Sequence, residues 1–126
     1  MKITVVLIVD EIEKLLPFWI DRMGFSKTVE VLEGERLGFV ILVRGGAELM
    51  LQTIESVRKD APQLVPNAGS PAASLFIEVD DFEDTLKRLG DYPVALPERT
   101  TFYGMREIGV RDPGGNVIIF AARAAS

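Results

Sequence analysis

Apolar runs closed by acidic residues recur along the chain at nearly fixed separation. Laid over itself at an offset of 70, the chain sets Thr4–Ile20 on Ser74–Gly90, so that Val9, Asp10, Glu13 and Leu16 meet Val79, Asp80, Glu83 and Leu86. At an offset of 69, Gly45-Gly46 meets Gly114-Gly115 and Leu49-Met50-Leu51 meets Ile118-Ile119-Phe120. Two blocks in the same order at nearly equal offset indicate an internal repeat. The one-residue change of offset reads as a loop deletion between them.

Each copy predicts a strand, a helix and three further strands. Thr4–Val9 and Ser74–Val79 are the opening strands. Asp10 and Asp80 are expected N-caps, with Glu13 and Glu83 at capping-box spacing. The first helix is expected to run through Ile12, Leu15, Leu16, Trp19, Ile20 and Met23, an apolar stripe of helical period that Gly24 ends. Pro17 inside it removes a backbone bond and favours a bend. The second helix runs through Phe82, Leu86 and Leu89 to Gly90. The remaining strands are Lys27–Leu32, Leu37–Val43 and Ala47–Thr53 in the first copy, and Val94–Leu96, Met105–Arg111 and Asn116–Ala122 in the second. Gly45-Gly46 and Gly114-Gly115 are hairpin turns. The expected fold is α+β: two tandem β-α-β-β-β modules, 1–53 and 71–126, within a single domain over residues 1–126. A polar, proline-bearing connector, 54–70, joins them.

Strand parity divides each sheet into two faces. Val5, Leu7, Val9, Leu49, Leu51, Leu75, Ile77, Val79, Ile118 and Phe120 form one wholly apolar set, expected under the helices. The opposite set includes Thr4, Glu48, Met50, Gln52, Ser74, Phe76, Glu78, Glu107 and Ile119, apolar walls carrying a few polar and acidic groups. Curved sheets that present such faces form a cleft of the kind that takes small molecules, although a mixed face is also ordinary wetted surface in an antiparallel sheet.

Charge narrows the guest. With 14 basic and 19 acidic residues the net charge is −5, and the isoelectric point is near 4.8. No basic cluster is longer than Arg58-Lys59, so nucleic acid and anionic membranes are poor partners. A cationic or neutral small molecule fits better. The chain has no cysteine and no histidine, which excludes disulfides, thiolate metal sites and nucleophiles served by either residue. The apolar run Val5–Val9 is too short for a membrane span or signal core, and a cytoplasmic location is expected.

The paired modules, each with strand-Val-Asp-Asp/Glu-helix, resemble the vicinal oxygen chelate superfamily of glyoxalases, bleomycin resistance proteins and extradiol dioxygenases. The stretch Tyr103-Gly104-Met105-Arg106-Glu107-Ile108-Gly109-Val110-Arg111-Asp112-Pro113-Gly114-Gly115-Asn116 looks most like the bleomycin-resistance branch. Enzymes of that superfamily hold a divalent metal through four positions that fall here on Thr4, Met50, Ser74 and Ile119. None of these residues suits an oxygen-and-nitrogen metal site. The resemblance therefore implies no metal, no cofactor and no catalytic residue. It implies a homodimer that sequesters a small, cationic drug or metabolite, with antibiotic resistance as the biological setting. Phe18, off the apolar stripe, and the connector Ile54–Ser70 are the expected dimer contacts. Two other readings stand beside this one. The first is a metal-independent lyase or isomerase using Glu78 or Glu107 as base; otherwise these two glutamates solvate the cleft or pair with Arg99, Arg106 or Arg111. The second is an interaction module with no ligand.

Overall fold

The structure, a computed structural model, describes residues 2–66 and 73–124. It divides into two compact units, Met1–Pro71 and Ala72–Ser126. Unit 1 contains strands β1 (Val5–Val9), β2 (Ser26–Glu33), β3 (Arg36–Arg44) and β4 (Ala47–Thr53), followed by helix α1 (Ile54–Asp60). Unit 2 contains β5 (Ser74–Glu78), α2 (Phe82–Leu89), β6 (Val94–Thr100), β7 (Met105–Arg111) and β8 (Val117–Arg123). The sheets have the same topology, β1-β4-β3-β2 and β5-β8-β7-β6. In each, the opening strand pairs parallel to the last and the other neighbours are antiparallel. The class is α+β. No helix among the described residues is long and apolar enough to cross a membrane.

The repeat extends to hydrogen-bond register. Val5 pairs with Leu49 and Leu75 with Ile118; Val6 pairs with Met50 and Phe76 with Ile119. Between these strands the expected single deletion is replaced by two changes. Leu42 opposes Leu49 as Val110 opposes Ile118. The offset is therefore 70 at β1, 68 at β3 (110 − 42) and 69 at β4 (118 − 49). Two residues are lost before β7, and one is gained in the last hairpin.

That extra residue belongs to a different turn. In unit 1, Arg44 pairs with Ala47 across Gly45-Gly46, and Gly45 takes φ +56, a conformation open to glycine at little cost. In unit 2, Arg111 pairs with Val117, and Asp112 organises the residues between. Its Oδ1 accepts from Gly114 N at 3.0 Å, Asn116 N at 2.9 Å and Asn116 Nδ2 at 3.1 Å. Asn116 Oδ1 in turn accepts from Ala73 N at 3.2 Å, tying the turn to the start of β5. Both side chains are buried. Asn116, expected inside the last strand, is thus a turn residue.

The first helix differs most from expectation. Instead of one α-helix over Ile12–Met23 there is a 3₁₀ turn, Ile12–Lys14, then a π-helical segment, Pro17–Arg22. Proline has no N–H to continue the first turn, so the chain restarts with Pro17 at the first helical position. The widened segment is closed by Met23 N donating to Phe18 O at 2.9 Å. It turns Phe18 and Trp19 inward together. Trp19 is fully buried, and Phe18 and Phe25 meet its ring edge-on at 5.1 and 5.2 Å. Each such pair contributes about 0.5–1.5 kcal/mol beyond its buried area. Phe18 is therefore core of unit 1, and it supplies no dimer contact.

The caps shift as well. Asp10 caps nothing: Glu11 occupies the position before the 3₁₀ turn and makes no capping bond. Asp81, not Asp80, caps α2 by accepting from Asp84 N at 3.0 Å. Glu83 reaches Arg106 at 2.6 Å instead of the chain behind it. Glu13 accepts from Leu37 N at 2.8 Å, fastening the 3₁₀ turn to the start of β3. The connector opens with α1, whose N-cap Thr53 accepts from Ser56 N at 3.1 Å and whose Val57 is buried. Its residues 67–70 lie outside the described residues.

The face packed under the helical segments matches the apolar parity. Leu7, Val9, Leu49 and Leu51 in unit 1, with Ile118 and Phe120 in unit 2, are buried; Val5, Leu75, Ile77 and Val79 are half-buried.

Two predictions follow from these bonds. Removing the Asp112 carboxylate strands buried donors, so Asp112→Ala should lower stability by about 2–4 kcal/mol, and Asp112→Asn, which keeps one acceptor, should lower it less. Urea midpoints measure this, and an unchanged Asp112→Ala midpoint contradicts it. The second concerns Glu13. The Leu37 N–H holds its carboxyl below the ordinary glutamate value of 4.5, helped by its own backbone N–H and by Arg36, against opposing desolvation. A depressed folded pKa contributes stability that is present above the unfolded value and lost as pH falls through the folded one. Glu13→Gln should therefore destabilise most near pH 7, and the gap to the parent should start to close as pH falls past the unfolded glutamate value of about 4.3 and go on closing through the lower folded one. A gap that stays constant on acidification refutes the assignment.

Candidate functional site

The face of each sheet away from the helices carries the residues expected to bind. In unit 1 the register sets Val6, Met50, Ile41 and Val29 in one row and Ile8, Gln52, Phe39 and Val31 in the next. Glu48, beside Val43, stands at the end of β4. Most of these side chains are apolar and partly exposed. Glu48 is held by Lys2, whose Nζ lies 2.8 Å from Oε2. Gln52 donates to Ser56 Oγ at 3.1 Å, which ties it to α1. Thr4 precedes β1 and is half-buried.

Unit 2 presents a different face. One row is Glu78, Ala121, Glu107 and Arg99; the next is Phe76, Ile119, Gly109 and Leu96. Ser74 shares a third with Val117 and Arg111. Glu107 lies in the expected row yet is only 2% exposed. The Arg99 guanidinium, paired opposite it, donates from Nε at 2.8 Å and reaches the same Oε1 from Nη2 at 2.7 Å. This ion pair compensates a carboxylate whose burial alone would be unfavourable. Of the three arginines considered for Glu107, Arg99 is its partner; Arg106 lies over Phe82 and pairs with Glu83 and Glu98. Glu78 is exposed, and among the described residues no basic group pairs with it. Two positions along the same strand, Phe76 is 51% exposed.

The nine expected residues thus fall into two groups. Thr4, Glu48, Met50 and Gln52 lie on unit 1; Ser74, Phe76, Glu78, Glu107 and Ile119 lie on unit 2. Reading only the strands that enter both repeat blocks missed Phe39 and Ile41, although the parity of Leu37–Val43 carries that signal. Register makes Phe39 the counterpart of Glu107 and Ile41 that of Gly109. A Cβ on Gly109 would fall 2.8 Å from Leu96 Cβ. The glycine is therefore required by the close approach of β6, and this floor is small where that of unit 1 is bulky.

The four positions that would hold a metal do not fit one. Met50 offers a thioether, Ile119 an alkyl chain beside Phe76 and Gly109, and Thr4 and Ser74 neutral hydroxyls. Hard and borderline divalent cations take carboxylate, imidazole or thiolate ligands. Among the described residues no three His, Cys, Asp or Glu side chains come together as a metal-binding group.

With this geometry in place, comparison with known proteins is informative. TioX from Micromonospora sp. ML1 superposes with a TM-score of 0.78 at 18% identity, covering 98% of each chain. A lactoylglutathione lyase from Agrobacterium tumefaciens gives 0.73 at 19%, covering 97% of this chain and 92% of that one. A bleomycin-binding protein complexed with bleomycin gives 0.67 at 19%, covering 98% of each. At these identities the likeness is one of fold. A search of curated proteins returned no match. The family model for the Glyoxalase/Bleomycin resistance protein/Dioxygenase superfamily matches residues 3–120. Through that match, and consistent with two four-stranded units of the same strand order, the chain belongs to the glyoxalase/bleomycin resistance protein/dioxygenase superfamily.

Proposed function

We propose that the protein binds a small, cationic, partly apolar molecule on the helix-free faces of its sheets, without a metal, and holds it rather than transforms it. The observation that carries this reading is Phe76 beside Glu78: a half-exposed ring and an exposed carboxylate with no basic partner among the described residues, on one face of one strand. An aromatic face and a carboxylate are complementary to an organic cation. Glu48 and Glu107 contribute less because Lys2 and Arg99 already neutralise them. The bleomycin-binding relative supports the ligand class as an analogy of fold. Thr4, Met50, Ser74 and Ile119 support the metal-free part of the reading, since none is a competent ligand.

Titration of chelator-treated protein with cationic glycopeptide drugs tests this. Glu78→Gln should weaken binding roughly five- to ten-fold and reduce its salt sensitivity. Phe76→Ala should weaken it with the salt dependence nearly unchanged. Glu48→Gln should have the smaller effect. No binding tighter than about 100 μM, a free energy near −5.5 kcal/mol, or binding that needs added metal, rejects the reading.

A homodimer belongs to the same proposal, since most soluble oligomers are symmetric and contribute one surface twice. With Phe18 in the core, the exposed valines of edge strand β2, Val29 and Val31, take its place as the surface to test. Light scattering should give twice the chain mass of 13.9 kDa. A monomer at high micromolar concentration removes this part of the proposal and leaves ligand binding standing.

A further inference from the structure

Acidic residues outnumber basic ones in this chain, yet Arg111 has no carboxylate partner among the described residues. Its guanidinium makes one long bond, Nη1 to Gly115 O at 3.3 Å, and the side chain is exposed. Beside it lies a shallow depression of about 340 Å³, lined by Tyr92, Pro93, Val94, Ala95 and Arg111. A break in register produces this hollow. Val94 pairs with Val110 and Leu96 with Gly109, so two steps along β6 answer one step along β7, and Ala95 is the extra residue of a bulge. Bulges on edge strands bend the strand and re-aim its side chains. Val94, 50% exposed, stands there with Pro93 and Ala95 as an apolar wall that no described side chain covers. Tyr92 Oη donates to Arg111 O, which fixes the ring as a wall and uses up its hydroxyl proton.

We infer that this depression is a binding site for a monocarboxylate with a short apolar or aromatic body. The guanidinium is the only charged group of the lining, and its planar donors match a carboxylate two by two. The remaining walls are apolar or aromatic and present no acid to repel the anion. The volume is at the low end of small-molecule pockets, which limits the guest to roughly one ring. None of the five lining residues belongs to the set proposed for the cation, so the two sites are independent in residue and opposite in charge.

Amide NMR of the ¹⁵N-labelled full chain, titrated at fixed ionic strength, tests the site. Sodium benzoate should shift the Val94, Ala95 and Arg111 amides saturably. Benzamide, its neutral isostere, should bind at least five-fold more weakly, and benzamidinium should not shift them. Arg111→Gln should weaken benzoate roughly five- to ten-fold. Ala95→Glu, which sets a carboxylate in the hollow, should abolish binding and serves as the decisive variant if Arg111→Gln disturbs the fold. N-acetylphenylalanine separates two sources of the same chemistry. Binding tighter than benzoate assigns the site to peptide carboxyl termini, and weaker binding assigns it to free acids. Shifts that do not saturate, equal binding of benzamide, or undiminished binding to both variants overturns the inference.

Discussion

Each unit is organised by one constraint, the parallel pairing of its first strand with its last. Parallel neighbours cannot be joined by a tight turn; the chain must leave the sheet, cross over and return. Here the return passes through two antiparallel strands, so the opening strand reaches its partner only after the rest of the sheet is laid down. The crossing segment has to cover one face on the way. In unit 1 that duty falls on the 3₁₀ and π segments that bury Trp19, in unit 2 on α2 with Phe82 and Leu89. The other face is left clear of helices. The exposed face is thus a result of topology before any side chain is considered.

Much of this was legible in the residues. The repeat reproduced strand pairing residue for residue at β1–β4 and β5–β8, because each of the two paired strands keeps one offset along its length, 70 for the first and 69 for the last. Parity found the buried face because side-chain direction in a strand alternates without exception within an unbroken ladder. What escaped was set by backbone detail. Pro17 was seen as a bend, but a widened turn that brings two consecutive aromatic residues inward has no signature in helical periodicity. Asp81 displaced Asp80 as cap because strand β5 ends at Glu78, leaving room for one more extended residue before the helix. The bulge at Ala95 left no trace in a segment too short and mixed to alternate.

The candidate site was legible in its rows and not in its charge state. Parity put Glu48, Glu78 and Glu107 on the same kind of face, and all three are there. Their partners come from elsewhere in the chain: Lys2 lies 46 positions from Glu48, and Arg99 meets Glu107 only through the register of β6 on β7. Three similar glutamates are therefore three different groups, one screened, one buried in an ion pair and one without a basic partner among the described residues. The repeat has diverged at the same time. Phe39 and Ile41 answer to Glu107 and Gly109, so one face is bulky and apolar and the other small-floored and charged.

The order of the strands also has a temporal side. The hairpin of β3 and β4 closes over two glycines and needs no distant residue, the kind of element that forms in microseconds. Strand β1 pairs with residues 44 positions away, Val5 with Leu49, and closing a long loop carries an entropic cost that only completed contacts offset. During synthesis from the amino terminus, β1 is the first strand of unit 1 to be made and the last to find its partner. Its run Val5-Val6-Leu7-Ile8-Val9 is strongly apolar, and until β4 has been made it has nothing of its own unit to pair with. The acidic stop at Asp10 and Glu11 then acts as a gatekeeper, placing charge beside the segment that waits longest.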